Sequence, residues 1–192
     1  RSQLKILSNK CFPVDLPVFS LIAVSPRPKI VLTVLFVNTL CIKPPALNNG
    51  VHPFNNNNIN SSLNVAEYWI LEMDLDGFRL DVPNEVPFWF WKLFREKVKS
   101  IKPDAYLVGE LWSNAVDWVN DDYFDAVMNY AYFKDPVMRF FNTRTCSAKD
   151  FDRDIKPGLL SYPTQATQVM MNLIDSHDTF RYLESANGDF SR

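Results

Sequence analysis

The chain has 192 residues, and its composition is that of an ordinary globular protein, with 47% hydrophobic and 22% charged residues. Its formal net charge of -2 gives no reason to expect a nucleic acid or an anionic membrane surface as a partner. This length is sufficient for one domain with a hydrophobic core, or for a piece of a larger domain.

The cysteines and the longest apolar run restrict the compartment in which the protein is expected. Cys11, Cys41 and Cys146 are widely spaced and form no CxxC pair, which argues against a disulfide framework or a structural zinc site. The apolar run at residues 30–42 is too short to span a membrane. We therefore predict no membrane association and a cytoplasmic location, with secretion as the alternative.

Charge and composition divide the sequence into segments. Residues 1–65 carry six basic side chains and one acidic one, whereas residues 66–192 carry 14 basic and 21 acidic ones. Residues 1–45 form a poorly defined, proline-rich segment, and residues 46–65 form an Asn-rich linker. Because the first methionine is Met73, we expect the chain to be a fragment or a processed chain.

Beyond residue 65, strand-like and helix-like patterns alternate. Apolar runs bounded by turn residues predict four strands, at residues 76–82, 106–111, 124–130 and 168–175. Between the first two, apolar side chains at helical spacing predict an amphipathic helix that ends before Pro103 and presents Trp91, Phe94, Val98 and Ile101 on one face. Strands and helices that alternate at this spacing favour an α/β fold with a parallel sheet.

Acidic side chains follow three of the predicted strands. Asp81 ends the first strand, Glu110 ends the second, and Asp178 follows the fourth. Arg79 lies two residues before Asp81 and shares its face, because side chains alternate along a strand. In parallel α/β barrels the active site is built at the C-terminal ends of the strands, and acids that repel one another there are typical of catalysis. The pattern predicts a catalytic site.

The residues around these acids resemble a known enzyme family. The segments "DGFRLDVPNEV" (76–86), "YLVGELW" (106–112) and "NLIDSHDTFR" (172–181) are similar, in this order, to conserved regions of the alpha-amylase superfamily, glycoside hydrolase family 13. The segment "FDAVMNY" (124–130) and the "VPNE" form of the first motif are similar to its neopullulanase, cyclomaltodextrinase and maltogenic amylase group. The resemblance implies that residues 66–192 are part of a catalytic (β/α)8 TIM barrel, an incomplete one holding about strands 4 to 7.

The resemblance also implies a role for individual side chains. Asp81 would be the nucleophile, Glu110 the general acid/base, and Asp178 a third carboxylate that binds sugar hydroxyls. Four side chains would help to bind the substrate or, for the first, to hold Asp81 ionised: Arg79, His177, Glu85 and Arg181. Trp112 is a further candidate, with substrate contact and core packing as equal alternatives.

The reaction implied is hydrolysis of α-glucosidic bonds in maltodextrins, cyclodextrins or pullulan, by a retaining double displacement. Two carboxyl groups about 5 Å apart suit such a mechanism. One of them must carry a proton at working pH, and we expect the crowding of acids to raise the pKa of Glu110 for this purpose. The partner is therefore an α-glucan oligosaccharide or polysaccharide.

Parts of the family pattern are absent from the sequence. Its first conserved region has a strand-end Asp and an Asn-His pair, but Thr33 and Thr39 stand roughly where the Asp and His belong. The two histidines of the chain are His52 and His177. We therefore predict no cofactor, because the ligands for the calcium that complete family enzymes commonly bind are not identifiable here. A homodimer, which in this group usually involves an N-terminal domain, is implied only for the full-length protein.

Two other functions remain open. A metal-dependent barrel enzyme of the enolase kind also places acids on successive strand ends, but it requires an inward-facing lysine that these strands do not offer. A non-catalytic remnant that binds a glucan or a partner protein would fit an incomplete barrel. For the same reason, we expect the 192-residue chain to be inactive by itself.

Overall fold

The computed structural model of the protein describes the backbone of residues 19–24, 29–34 and 56–189, and the side chains of residues 59, 60 and 62–189. The interpretations of Thr39 and His52 lie outside the described residues. So does most of the N-terminal segment and the first half of the expected Asn-rich linker.

A five-stranded sheet runs through the described residues in the order β1-β2-β3-β4-β5. The strands are β1 (Phe19–Val24), β2 (Lys29–Val34), β3 (Gly77–Leu80), β4 (Tyr106–Gly109) and β5 (Ala126–Val127). The first pair is antiparallel, whereas β2, β3, β4 and β5 pair in parallel. The parallel pairing predicted for the first three strands is confirmed, and β2 extends it on the other side of β3.

Helices connect and flank these strands. They are α1 (Asn56–Met73), α2 (Phe88–Ile101), α3 (Asp135–Val137), α4 (Ala148–Leu160), α5 (Thr164–Val169) and α6 (Tyr182–Ser185), with wider π-helical turns at Tyr130–Lys134 and Met138–Asn142. The predicted amphipathic helix is confirmed as α2, which ends at Ile101 because a residue before proline disfavours the helical conformation. In the described part of the chain, no helix has the length and apolarity needed to cross a membrane.

Helix α1 begins inside the segment that the sequence predicted to be a linker. Residues 56–65 are helical, and α1 packs against α2. The Asn-rich start of α1 has a weak helix propensity, so its apolar side chains, such as Ile70, stabilise it by packing. The division of the chain into segments stays a prediction.

The two faces of the sheet are covered differently. Phe78 and Leu80 of β3 are fully buried against the helices α1 and α2, together with the helical side chains Phe90, Trp91, Phe94 and Val98. The opposite face carries Arg79 together with a smaller apolar cluster of Val108, Met128 and Tyr130. The alternation read from the sequence is therefore confirmed. Strands β3 and β4 also approach closely at Gly77, where a Cβ atom would collide with the Tyr106 carbonyl.

The fourth predicted strand, at residues 168–175, is wrong. Residues 164–169 form α5, and the chain then makes one parallel bridge between Met171 and Met128, the residue after β5. Pro163 precedes α5, whose Gln and Ala residues favour a helix. The first residues of the predicted strand are therefore helical. Strand β5 is also shorter than predicted, because the chain turns into a π-helical segment at Tyr130.

Candidate active site

A single arginine joins two of the predicted catalytic acids. Arg79 on β3, with 1% of its surface exposed, pairs through Nη1 with Asp81. Its Nη2 lies 2.7 Å from Oε1 of Glu110, which follows β4, in an ion-pair contact whose direction does not suit a hydrogen bond. Because β3 and β4 are parallel neighbours, Asp81 and Glu110 lie at the same end of the sheet. The structure thus brings three of the predicted site residues together.

Burial of these side chains makes their charges interact strongly. Asp81 is 9% exposed and Glu110 4% exposed, so little water screens them. Removal from water raises the pKa of Glu110 above its ordinary value, Arg79 opposes this, and Asp81 adds to it by hydrogen bonding and repulsion. The predicted direction of this pKa shift is confirmed. The predicted cause needs correction, because burial contributes more than the neighbouring acid.

Backbone and side-chain donors fix the orientation of the Glu110 carboxyl group. The backbone N–H of Val82 donates to Oε2 at 3.3 Å, and the indole Nε1 of Trp112 donates to Oε1 at 3.3 Å. Val82 has a φ of 41° and a ψ of 50°, a left-handed conformation that is unfavourable for a β-branched residue. Pro83 follows it and disfavours the right-handed helical region, so this sharp turn directs the amide towards Glu110.

Trp112, for which the sequence left substrate contact and core packing open, is stacked on one side and exposed on the other, and its role stays a prediction. Its ring stacks on Tyr130 with centroids 4.7 Å apart and planes at 13°, while 52% of its surface is exposed. A half-exposed indole beside Glu110 is available to a ligand, and the stack restricts its orientation.

The third predicted acid lies on a loop rather than at a strand end. Asp178 and His177 are exposed, with 40% and 63% of their side-chain surfaces accessible, and they contact each other at 3.2 Å. The backbone N–H of Asp178 donates to Oγ of Ser176 at 3.2 Å. The described contacts connect Asp178 to Glu110 through intervening side chains rather than directly.

Two predicted substrate-binding side chains are not joined to this cluster. Arg181 pairs with Asp175 at 2.8 Å, and the pKa of Asp175 is lowered, first by the backbone N–H of Tyr182 and then by Arg181. Glu85 is exposed and accepts a hydrogen bond from Asn84 at 3.3 Å. Their roles in binding stay predictions.

Sequence reasoning missed several side chains around the acids. Tyr130 donates through its hydroxyl to Ser176 Oγ at 3.1 Å, and Met128 offers its sulfur to Nε of Arg79 at 3.4 Å. Both lie in the "FDAVMNY" segment, which the sequence treated as a strand without a site residue. The alternation of that segment was the available signal, since Met128 and Tyr130 share a face.

Two cavities lie near these groups, and neither encloses the three acids together. One, of about 580 Å³, is lined by Asp178 and His177 with Phe180 and Glu184. The other, of about 800 Å³, reaches Arg79 and is lined by Tyr106, Val108 and Met171 among others. Among the described residues, no cluster of His, Cys, Asp and Glu is arranged to hold a metal ion.

Comparison with known proteins identifies the family. The model of the alpha-amylase catalytic domain matches residues 47–192. The chain belongs to this family. It is 50% identical over 130 residues to a cyclomaltodextrinase of Thermoanaerobacter pseudethanolicus, with 68% of this chain and 22% of that protein covered. It is 49% identical over 125 residues to neopullulanase 2 of Thermoactinomyces vulgaris, with 65% and 21% covered.

A solved cyclomaltodextrinase structure matches with a TM-score of 0.67 and 46% identity, covering 72% of this chain and 23% of that chain. The described fold is therefore that of part of an alpha-amylase-family TIM-barrel enzyme. The chain spans between a fifth and a quarter of the length of the relatives that it matches. Membership of this family favours a glycosidase over an enolase-like enzyme.

Proposed function

We propose that the protein contributes the catalytic acids of a retaining glycoside hydrolase that acts on α-glucosidic bonds of maltodextrins, cyclodextrins or pullulan. One observation supports this most strongly. Arg79 lies between two buried carboxyl groups at the ends of adjacent parallel strands, and the pKa of one of them is raised. A retaining mechanism needs this inequality, because one carboxyl group must be ionised while its neighbour carries a proton.

The proposed reaction proceeds in two displacements. Asp81 attacks the anomeric carbon while the bond between that carbon and the leaving oxygen breaks, and Glu110 gives its proton to the leaving oxygen. The ester at Asp81 carries no negative charge, so Glu110, now ionised, accepts a proton from the water that attacks the same carbon. Release of Asp81 as a carboxylate restores the starting state, with the original anomeric configuration.

The remaining roles are part of the same proposal. Asp178 and His177 would bind sugar hydroxyls from the rim of the smaller cavity, and Trp112 would offer its exposed ring to a sugar. Glu85 and Arg181 would contact the substrate further from the reacting bond. We also propose that β3, β4 and β5 are strands 4 to 6 of a (β/α)8 barrel, with the Met171 bridge marking strand 7. The homodimer and the cytoplasmic location stay predictions.

The test uses the full-length protein that contains this sequence. Proton NMR of a maltodextrin digest should show the α-anomer as the first product. Replacement of the nucleophile by Asp81→Asn should reduce turnover by several orders of magnitude, because an amide cannot form the covalent intermediate. Asp122→Asn is the matched control, since that exposed carboxylate pairs with Lys92 at the surface and should leave turnover unchanged. Wild-type turnover in Asp81→Asn would refute the assignment.

A binding function without catalysis is the second candidate for the 192-residue chain by itself. The exposure of Asp178, and its separation from the cavity beside Arg79, favour it. Catalysis requires placement of the acids to within a fraction of an ångström, and exposed charges are screened by water. We expect this chain to bind a cyclodextrin in calorimetry without releasing reducing sugar. Turnover within about tenfold of the full-length protein would contradict this.

A further inference from the structure

A buried tyrosine contacts both halves of the proposed site. Tyr130 follows β5, is 1% exposed, and packs with Val108 and Met128 on the face of the sheet that carries Arg79. Alternation along the strand predicts only an apolar residue at this position, and the proposed reaction gives a tyrosine no chemical role. Its ring and its hydroxyl group make separate contacts that lead to different acids.

The ring of Tyr130 orients the group that donates to Glu110. Trp112 lies against it in a nearly parallel stack, 4.7 Å between centroids. The indole Nε1 of Trp112 donates to Oε1 of Glu110 at 3.3 Å. Because half of the Trp112 surface is open to water, stacking on a fixed ring is what restricts its rotamers.

The hydroxyl group of Tyr130 fixes the loop that carries Asp178. It donates to Oγ of Ser176 at 3.1 Å, and this Oγ accepts the backbone N–H of Asp178 at 3.2 Å. The backbone N–H of Ser176 is itself held by Oγ1 of Thr179 at 3.0 Å. The Asp178 side chain is exposed, so these hydrogen bonds of its own backbone and of Ser176, and not packing around it, determine where it lies.

We propose that Tyr130 is a positioning residue that places Glu110 and Asp178 relative to each other, the first through Trp112 and the second through Ser176. This inference rests on the proposed function. Asp178 lies on a loop, and a loop residue is fixed less well than a residue at a strand end. Because one buried side chain contacts both Trp112 and Ser176, it fixes the distance between Glu110 and the loop that carries Asp178.

Two substitutions in the full-length protein separate the two contacts. Tyr130→Phe keeps the ring and removes the hydroxyl group, so Asp178 alone should be released. Loss of one hydrogen bond should lower kcat/KM by roughly 2- to 10-fold and speed amide exchange in the 173–180 segment about threefold or more, with the alkaline limb of the pH profile unchanged.

Tyr130→Leu removes the stack as well. Trp112 then no longer donates reliably to Glu110, and this donation lowers the pKa of Glu110 against the effects of burial and of Asp81. The pKa should therefore rise further, and the alkaline limb should move to higher pH. A merely structural role for Tyr130 would lower activity without moving the limb.

Tyr106 provides a matched control. It is a second, partly buried tyrosine on the same face, and its hydroxyl donates to the carbonyl of Val169 at 2.6 Å, away from the acids. Tyr106→Phe should therefore leave kcat/KM, exchange at 173–180 and the pH limb unchanged. Ser176→Ala removes this contact and also the acceptor of the Asp178 N–H, so its loss of activity should be at least that of Tyr130→Phe. The double variant should lose no more activity than Ser176→Ala alone, because the Tyr130–Ser176 contact is already absent there.

The outcomes distinguish this inference from the proposed function. Unchanged exchange at 173–180 in Tyr130→Phe and Ser176→Ala, or additive losses in the double variant, would overturn the inference. An unmoved pH limb in Tyr130→Leu would do the same for the Trp112 contact. If the unsubstituted protein hydrolyses no α-glucan, the proposed function fails, while amide exchange and tryptophan fluorescence still measure both contacts. Circular dichroism verifies that each variant is folded.

Discussion

The proposed site consists of two regions that are built differently. The strand-end cluster (Arg79, Asp81 and Glu110) is almost completely buried, at 1%, 9% and 4% exposure. The 175–181 loop carries His177 and Asp178 with 63% and 40% of their side-chain surfaces exposed. The sheet itself places the cluster, because paired strands fix where their ends lie. Individual side-chain hydrogen bonds place the loop, so its geometry depends on single atoms.

Because of this difference in burial, the cluster can shift the pKa of a carboxyl group, whereas the loop offers exposed groups to a ligand. In the cluster, loss of water raises the pKa of Glu110 and strengthens its interaction with Arg79. In the loop, water screens the pairs that Asp175, His177 and Asp178 make, and such exposed pairs contribute little to stability. We therefore expect substitutions in the cluster to change chemistry and folding together, and substitutions in the loop to leave folding almost unchanged.

The largest effect expected in the cluster is on proton transfer. Glu110→Gln keeps the shape of the side chain but removes its proton, and the rate should fall by about 10²- to 10⁴-fold with a glucan substrate. A substrate whose leaving group needs no proton should recover most of the rate of the first displacement. A loss of the same size with both substrates would show that Glu110 is not the proton donor.

The pH profile checks the same residue. Because the pKa of Glu110 is raised, the proton that it donates is retained to higher pH than on an ordinary glutamate, and activity should fall as pH rises through the raised value. This alkaline limb should be present in the unsubstituted protein and absent from the residual activity of Glu110→Gln.

Removal of the shared cation should affect folding more than any other single change in the cluster. Arg79→Met leaves two buried carboxyl groups without their partner, and the free energy of unfolding should fall by about 3–5 kcal/mol, measured by urea denaturation. Arg95→Met is the matched control, since Arg95 pairs with Asp125 at 2.9 Å in a more exposed position and Lys99 still pairs with Asp125. Equal losses in the two variants would contradict the special role of burial at Arg79.

The sequence predicted the cluster better than the loop, for a physical reason. Asp81 and Glu110 are fixed by alternation and parallel pairing, both of which can be read from apolar residues in short runs. Asp178 was expected behind a strand, but residues 168–175 form the end of α5, a single bridge and a turn. The Tyr130–Ser176 hydrogen bond joins residues far apart in sequence, and no local pattern announces such a contact.

The sequence also did not predict all the contacts within the strand-end cluster. Arg79 was expected to contact Asp81, its neighbour on the same face, but its contact with Glu110 depends on the register of β3 against β4. The left-handed turn at Val82 depends likewise on the whole end of the strand, since a valine alone disfavours it. Tertiary packing decides such positions against local preference.

A smaller effect is expected where the cluster meets the exposed surface. Trp112→Phe retains an aromatic ring to stack on Tyr130 but removes the N–H that donates to Glu110. That donation favours the ionised carboxylate, so the pKa of Glu110 should rise and the alkaline limb of the pH profile should move upward. The rate at the optimum should fall by less than about tenfold. A limb that moves to lower pH would contradict this contact.

The smallest effect is expected in the loop. Arg181 is 64% exposed and pairs with Asp175, so Arg181→Gln should lower the free energy of unfolding by about 0–1 kcal/mol at pH 7. The pKa of Asp175 is lowered mainly by the Tyr182 amide, so Asp175 stabilises the fold at neutral pH, and this contribution is lost as pH falls through its lowered pKa. Acid denaturation should therefore keep nearly the same midpoint in Arg181→Gln.

A loss of free energy of unfolding above about 2 kcal/mol in Arg181→Gln would mean that the pair of Arg181 and Asp175 is not screened as its exposure requires. An increase in KM at unchanged stability would instead support the substrate contact that the family resemblance implies for Arg181.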